Sequence, residues 1–459
     1  MFRKVKIIHF VGIGGIGMSG IAELLLNQGF EITGSDLNES ELITRLQDLG
    51  VTVYQGHKAE YANNCDVLVY SSAVKENNPE LIAARERGIP IIKRAEMLGE
   101  LIAVKDLSIG VGGTHGKTST TSMIGSVLSI AGLDPTLVVG GLVKNIDTNS
   151  KLGSGEIIVV EADEFDRSFL ALRPTIAIVT NIELEHTDCY SDLPDLQIAF
   201  SQFCNAVPFY GVVIAGLDSP GVQGILSNIK RPVITYGFSN QANFRAYDIY
   251  YHESKTGFMV IYNQRRLGEI VLQLPGEHNV LNALAAVALG LEMNLSFDII
   301  KRGLEAYTGV RRRFEIKGIA QGIMVVDDYA HHPTEVAATL QAARSGWNRR
   351  VVAVFQPHLY SRTRDFHREF AAAFLESDIL VVSDVFPARE EPIPGVNGNL
   401  VAQAARDLGH TQVHYIPDLN NLIEKLVSIL KSDDMVITIG AGNIWRYSDT
   451  LYQKLTESP

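Results

Sequence analysis

Two glycine-rich turns, each lying between an apolar strand pattern and a helix pattern, constrain this chain more than any other feature. The first is "HFVGIGGIGMSG", residues 9–20, in which Gly12, Gly14 and Gly17 follow the spacing G-x-G-x-x-G. The second, "GVGGTHGKTST", begins at Gly110. Strand, glycine turn and helix in that order form the unit of a parallel α/β sheet. The glycines let backbone N–H groups and the helix N-terminus come close to a phosphate.

The rest of the chain continues that rhythm. "KIIHFVG", "EITGSD", "CDVLVYSSA" and "IPIIK" read as strands, with "MSGIAELLLNQG" and "RAEMLGELIA" among the helices between them. Short apolar strands separated by helices predict a parallel, right-handed, doubly wound sheet. A second series opens at "LSIGVGG" and runs through "EIIVVEAD", "TIAIVTNIE", "GVVIAG" and "VITYGF". Residues 244–274 then interleave polar and apolar positions around turn signals, which predicts antiparallel hairpins beside the parallel strands. A third series follows the helix patterns "HNVLNALAAVALGLEM" and "FDIIKRGLEAY", with strands "IMVVDDYA", "RVVAVFQP", "DILVVSDV" and "MVITIGAG". At 459 residues the chain is too long for one core. The expected domains are 1–103, 104–308 and 309–459.

Composition narrows the partners. A formal net charge of −12 argues against a nucleic-acid surface, which must be basic. Cys65, Cys189 and Cys204 are odd in number and form no C-x-x-C pair, so neither a disulfide framework nor a thiolate zinc site is expected. The basic and apolar start runs straight into the first glycine turn and reads as a strand. No apolar run approaches the ~18 residues of a membrane span. These features predict a cytoplasmic enzyme with no membrane partner.

The first turn, with Asp36 closing the second strand where it can accept from ribose hydroxyls, reads as a nucleotide diphosphate site. The motif does not say which nucleotide, and glycines that merely allow tight strand–helix packing are the alternative. The second turn reads Gly112-x-x-x-Gly116-Lys117-Thr118, with Val111 where the usual phosphate-loop pattern has glycine. Its amides can cradle a β-phosphate, Lys117 can neutralise phosphate oxygens, and Thr118 can offer a hydroxyl to Mg²⁺. Glu161, at the end of the strand "EIIVVE", suits the same ion, while Asp163, Glu164 and Asp166 crowd the same stretch.

"GVGGTHGKTST", "EADEFDRSF", "NIELEHTD", "GEHNVLNALAA", "RRRFE", "DDYAHHPTE" and "FQPHLYSRTRD" together resemble the Mur ligase family, across all three expected domains. The resemblance implies an α/β chain with an N-terminal Rossmann-like parallel sheet, a central P-loop ATPase-like mixed sheet and a C-terminal Rossmann-like domain. It implies ATP-dependent amide formation through an acyl phosphate, with Mg²⁺. With "GIGGIGMSG" at the front, the resemblance implies UDP-N-acetylmuramate and L-alanine as the other substrates. The UDP-sugar then falls to Gly14, Gly15, Ile16, Gly17, Asp36, Ser71 and Ser72. ATP falls to Gly112, Gly113, Thr114, His115, Gly116, Lys117, Thr118 and Ser119.

The same resemblance selects Glu161, with Glu164 in reserve, as the metal ligand beside Thr118, and His186 for a second metal. Several relatives use a carbamylated lysine near this point, but no lysine occurs between Leu184 and Pro208. Asn279 and Asn282 would face the nucleotide, helix capping being the rival for Asn279. Arg313 would meet the γ-phosphate and Asp328 the ATP ribose. Tyr329 and His331 would face the reacting centre, and His358 and Arg362 the alanine carboxylate. Many relatives carry arginine where this chain has Leu359. The expected catalytic set is Lys117, His186, Arg313 and His331. A dehydrogenase, argued from G-x-G-x-x-G alone, leaves the second loop unexplained, and a binding module leaves Lys117, Glu161 and His186 without use. The nearest competitor within the family, a ligase recycling murein tripeptides, departs at the first loop and at "FQPHLYSRT".

Overall fold

The computed structural model describes residues 5–71, 73–103, 105–144, 148–186, 189–388 and 390–457. The chain divides into two compact units. One comprises Met1–Asp248, Met259–Ile270 and Leu281–Thr308; the other comprises Ile249–Phe258, Val271–Val280 and Gly309–Pro459. Its strands form three sheets.

The first sheet contains β1 (Ile7–Val11), β2 (Glu31–Asp36), β3 (Thr52–Gln55), β4 (Val67–Tyr70) and β5 (Ile91–Lys93), alternating with α1 (Ile16–Asn27), α2 (Glu41–Asp48), α3 (Pro79–Glu86) and α4 (Arg94–Ala103). The order is β3-β2-β1-β4-β5, every pair parallel. The reversal between β2-β1 and β1-β4 puts the first glycine turn, which follows β1, at the switch point where such sheets bind ligands. Phe10 and Val11 of β1 are fully buried, as helices covering both faces require.

The second sheet is built on β6 (Leu107–Gly112), followed by α5 (Lys117–Ile130), β7 (Thr136–Val143), β8 (Thr148–Lys151), β9 (Ile157–Glu161), β10 (Ile176–Val179), α6 (Leu193–Asn205), β11 (Val212–Gly216), α7 (Pro220–Leu226) and β12 (Val233–Gly237). β13 (Phe244–His252), β14 (Lys255–Tyr262) and β15 (Arg265–Leu272) extend it, and α8 (Glu277–Glu292) and α9 (Phe297–Glu305) follow. The order is β15-β14-β13-β12-β11-β10-β6-β9-β7-β8. From β12 through β7 the pairs are parallel, and β8 closes the edge antiparallel. Asn263 and Gln264, between β14 and β15, both have positive φ, as a two-residue hairpin turn requires. The β7–β8 hairpin was not expected from the apolar pattern.

The third sheet, wholly in the second unit, has β16 (Glu315–Ala320), β17 (Ile323–Asp328), β18 (Arg350–Phe355), β19 (Ile379–Val382), β20 (Val413–Tyr415) and β21 (Asp434–Ile439). Its order is β16-β17-β21-β18-β19-β20, parallel except for β16. α10 (Pro333–Gly346), α11 (Tyr360–Ala373), α12 (Asn399–Asp407), α13 (Leu422–Ile429) and α14 (Trp445–Glu457) supply two apolar layers around it.

Capping separates the two glycine-turn helices from their neighbours. Side chains of Ser40, Asn78, Asp192, Ser219 and Ser296 cap α2, α3, α6, α7 and α9. α1 and α5 start instead at Gly15 and Gly116, which have no side chain to offer. Their first amides are therefore available to an anion. Among the described residues, no helix is long and apolar enough to cross a membrane.

Candidate active site

The first glycine turn is braced by β2. Gly12 and Ile13 donate their N–H groups to the Ser35 carbonyl at 2.8 and 3.1 Å. Gly14 N–H donates to Asp36 Oδ2 at 2.9 Å, and Asn38 N–H to Asp36 Oδ1 at 3.0 Å. Asp36, expected to meet a ribose, is thus bonded to the loop itself in this structure. A Cβ at Gly14 would lie 2.9 Å from both Asp36 Oδ2 and the tip of the Ile43 side chain, so both would have to shift to admit one. Gly15 and Ile16 lead into α1, with Ile16 exposed. Ser71 faces Gly12 from the end of β4, whereas Ser72 lies outside the described residues. Gly17 packs against the Arg94 guanidinium, whose Nη2 is also 3.8 Å from Asp163 Oδ2. Sequence reasoning missed Arg94; its position opening a helix after an apolar strand was the available signal.

The second turn follows β6 and is held by the segment after β10. Gly112 ends β6, and Thr180 N–H donates to its carbonyl at 3.0 Å. Gly113, at φ +135°, is pressed against the Thr180 hydroxyl, so a Cβ there would collide with it. Thr114 and His115 donate backbone N–H groups to Asn181, at 3.0 Å to its carbonyl and 2.8 Å to Oδ1 respectively. Thr114 Oγ1 and the Glu183 backbone exchange two further bonds at 2.9 and 3.1 Å. Gly116, at φ +81°, backs onto Asn282, whose Oδ1 accepts from Thr120 Oγ1 at 3.1 Å. Ser119 follows in the first turn of α5, half-buried. Thr180, Asn181 and Glu183 lie within the quoted "TIAIVTNIE" strand but carry no motif of their own.

Two carboxylates serve the two chemical residues of the loop. Thr118 Oγ1 donates to Glu161 Oε2 at 2.9 Å, and that oxygen also accepts Gly140 N–H at 2.7 Å. Lys117 Nζ reaches both Glu164 oxygens at 2.8 and 3.0 Å and the Gly113 and Thr114 carbonyls at 2.6 and 3.1 Å. Burial works against the Lys117 ammonium, but Glu164, Asp163 and Glu161 outweigh it and hold its pKa above the ordinary lysine value. Burial pushes Glu164 up to about 8, with Lys117 pulling the other way. The Tyr190 hydroxyl donates to the Glu164 carbonyl at 2.6 Å and helps to fix that segment.

His186 Nε2 lies 3.8 Å from Glu164 Oε1. Ligand atoms of Asp163, Glu164 and His186 fall within 4.8 Å of one another. The expected metal residues therefore appear as two neighbouring pairs, Thr118 with Glu161 and His186 with Glu164. Oxygen donors from a hydroxyl and clustered carboxylates fit the hard cation Mg²⁺.

In the second unit, the C-terminal ends of β17 and β18 gather the remaining candidates. Asp328 accepts Phe314 N–H at 2.7 Å and Ala330 N–H at 2.8 Å; burial pushes it up to about 6, against the pull of Arg313. The Arg313 guanidinium lies 5.3 Å from the Tyr329 ring centroid and 3.3 Å from Glu335 Oε1. His331 donates its N–H to Glu335 Oε2 at 3.0 Å, and its Nδ1 is 3.0 Å from the Tyr329 carbonyl. The His331 and His358 rings are 6.1 Å apart, and Arg362 Nη1 is 3.3 Å from His358 Nδ1. Arg362 is only 8% exposed. Leu359, at φ +69°, opens α11 and is itself buried. Asn279 Nδ2 donates to the Pro275 carbonyl at 2.8 Å, so its amide secures the start of α8. Glu335, which joins Arg313 to His331, was missed although it closes the "DDYAHHPTE" motif.

Residues 7–106 match the Mur ligase family catalytic domain, 111–290 the Mur ligase middle domain, and 312–442 the Mur ligase glutamate ligase domain. UDP-N-acetylmuramate–L-alanine ligase of Geotalea uraniireducens is 50% identical over 99% of both chains. The protein of that name from Salinibacter ruber is 51% identical over 98% of this chain and 95% of its own. Among solved structures, the UDP-N-acetylmuramate–alanine ligase of Thermotoga maritima superposes with a TM-score of 0.85 at 29% identity, over 99% of this chain and 100% of its own. A murein peptide ligase from Psychrobacter arcticus gives 0.72 at 25% identity, over 99% of both. With all three regions matched in order and half of the residues shared along the whole length, the chain belongs to the Mur ligase family.

Proposed function

We propose that this chain joins the amino group of L-alanine to the carboxylate of UDP-N-acetylmuramate at the expense of ATP. A muramyl carboxylate oxygen attacks the γ-phosphorus and ADP leaves. The alanine nitrogen then attacks the acyl carbon of the mixed anhydride, loses a proton, and phosphate departs. The observation that carries this reading is identity near 50% over the full length with ligases named for that reaction. The tripeptide alternative is disfavoured because the solved murein peptide ligases are 25 and 29% identical to this chain, against about 50% for the relatives named for the L-alanine reaction.

On this reading residues 1–103 hold the UDP-sugar, 104–308 hold ATP and 309–459 hold the amino acid. Phosphoryl transfer between two anions needs fixed positive charge more than covalent help. Lys117 supplies it, and its present bonds to Glu164 and two carbonyls keep the ammonium beside the loop. Thr118, Glu161 and His186 would hold Mg²⁺, which when bound neutralises charge on the phosphate oxygens. Arg313 adds a second cation, restrained by Glu335. With Nδ1–H donating to the Tyr329 carbonyl, His331 keeps Nε2 as an acceptor for the proton leaving the amine. Arg362 offers its fork to the alanine carboxylate.

Phosphate release with UDP-N-acetylmuramate, ATP and a panel of amino acids and peptides tests the reading. L-alanine is expected to give one UDP-linked product per phosphate. Turnover with a murein tripeptide and none with L-alanine would replace the substrate assignment.

A further inference from the structure

Beneath the first glycine turn lies a buried polar cluster that the reaction does not use. Glu80, the second residue of α3, is 0% exposed, as are His9 of β1 and Ser35 of β2. Glu80 Oε2 lies 2.6 Å from His9 Nε2. Glu80 Oε1 accepts from Ser35 Oγ at 2.8 Å and lies 2.7 Å from His57 Nδ1. His9 Nδ1 continues to Thr33 Oγ1 at 2.7 Å. Desolvating a carboxylate is costly, and a packed apolar side chain often does as well for stability. What the cluster adds is geometry.

Its output is Ser35. The hydroxyl of Ser35 is held by Glu80, its carbonyl receives both Gly12 N–H and Ile13 N–H, and the next residue, Asp36, receives Gly14 N–H. One residue therefore transmits the position of a buried carboxylate to the amides of the glycine turn. We infer that Glu80, supported by His9 and His57, is a positioning residue for the UDP-sugar cradle: it fixes Ser35 and so sets the direction of the loop amides. This rests on the reading that the first loop holds the UDP-sugar. The Ser35, His9 and His57 groups converge on the two Glu80 oxygens. Glutamine keeps the shape but turns an NH₂ toward at least one of them.

The test uses the full-length enzyme, with calorimetric titration of UDP-N-acetylmuramate and phosphate-release kinetics for each substrate in turn. Glu80→Gln should raise both the Kd and the KM for UDP-N-acetylmuramate ~10-fold, the scale of one lost hydrogen bond to a charged group. The KM values for ATP and L-alanine should stay within about 2-fold, a selectivity that general loss of stability would not give. Ser35→Ala, which keeps the carbonyl and loses one contact, should show the same split at lower amplitude, and Glu80→Asp should recover part of the loss. If Glu80→Gln does not fold, Ser35→Ala and His57→Gln carry the test. Unchanged UDP-sugar affinity, or three KM values rising together with a lowered Tm, overturns the proposal. Wild-type enzyme that fails to bind UDP-N-acetylmuramate alone overturns the loop assignment beneath it, and is distinguished by the calorimetry.

Discussion

Arg362→Ala should raise the KM for L-alanine while sparing the other two substrates. Arg362 sits in the first turn of α11, 8% exposed, with Nη1 3.3 Å from His358 Nδ1. A hydrogen bond to a charged group contributes ~1.5–3 kcal/mol. At about 1.4 kcal/mol per decade of affinity, removing the guanidinium raises the KM ~10- to ~150-fold. The low exposure favours the upper part of that range, because water cannot readily replace the fork at a buried carboxylate. Arg362→Lys keeps the charge but loses bidentate geometry and should fall between. The assay is phosphate release with L-alanine varied at saturating ATP and UDP-N-acetylmuramate, on variants whose melting curves remain cooperative. An unmoved alanine KM, or three constants rising together, refutes the assignment of Arg362 to the carboxylate.

Glu161→Gln should lower turnover by orders of magnitude, because Mg²⁺ loses a charged ligand and the phosphates lose the counter-charge that the ion supplies; near wild-type turnover would move the metal role to Glu164. Gly113→Ala should abolish nucleotide binding in equilibrium titrations, since the new Cβ collides with Thr180 Oγ1 at a φ of +135°; retained binding would mean the loop is far more pliant than its contacts indicate. Burial, followed by the nearby Arg313, holds His278 down to about 4 from its ordinary 6.5. A depressed folded-state pKa gives stability that is complete above pH ~6.5 and lost as pH falls toward 4, at most about 3 kcal/mol. Urea melts of His278→Gln should accordingly lose less stability than wild type between those pH values, and parallel losses would contradict the assignment.

Much of this was legible because phosphate chemistry writes itself locally. A glycine turn, a lysine and a hydroxyl sit within a few residues of one another, so Gly112 to Thr118 announce their joint use before any fold is known. Glu161, His186, Asp328 and Arg362 could be named because the resemblance to the family's motifs selects them; Glu161 and Asp328 also end strands, where parallel sheets gather ligands. The supporting residues were hidden because they act across the sequence. Thr180 and Asn181 brace a turn some 65 residues earlier, and Glu80 reaches His9 across 71 residues. Asp36 shows a different limit, since its type and place suit a ribose yet its oxygens bond to loop amides here. The β7–β8 hairpin escaped because "TNSK" has no apolar alternation, and its place comes from pairing with β7.

The central claim is that the two phosphate cradles bind two substrates of one reaction, and Lys117→Ala tests it most directly. Calorimetric titrations of UDP-N-acetylmuramate, and of a non-hydrolysable ATP analogue with Mg²⁺, should be made on this variant and on wild type. The claim predicts UDP-sugar affinity within about 2-fold of wild type, loss of the nucleotide signal and no ligation, since Lys117 serves only the second loop. A variant that loses the UDP-sugar and keeps the nucleotide would contradict it.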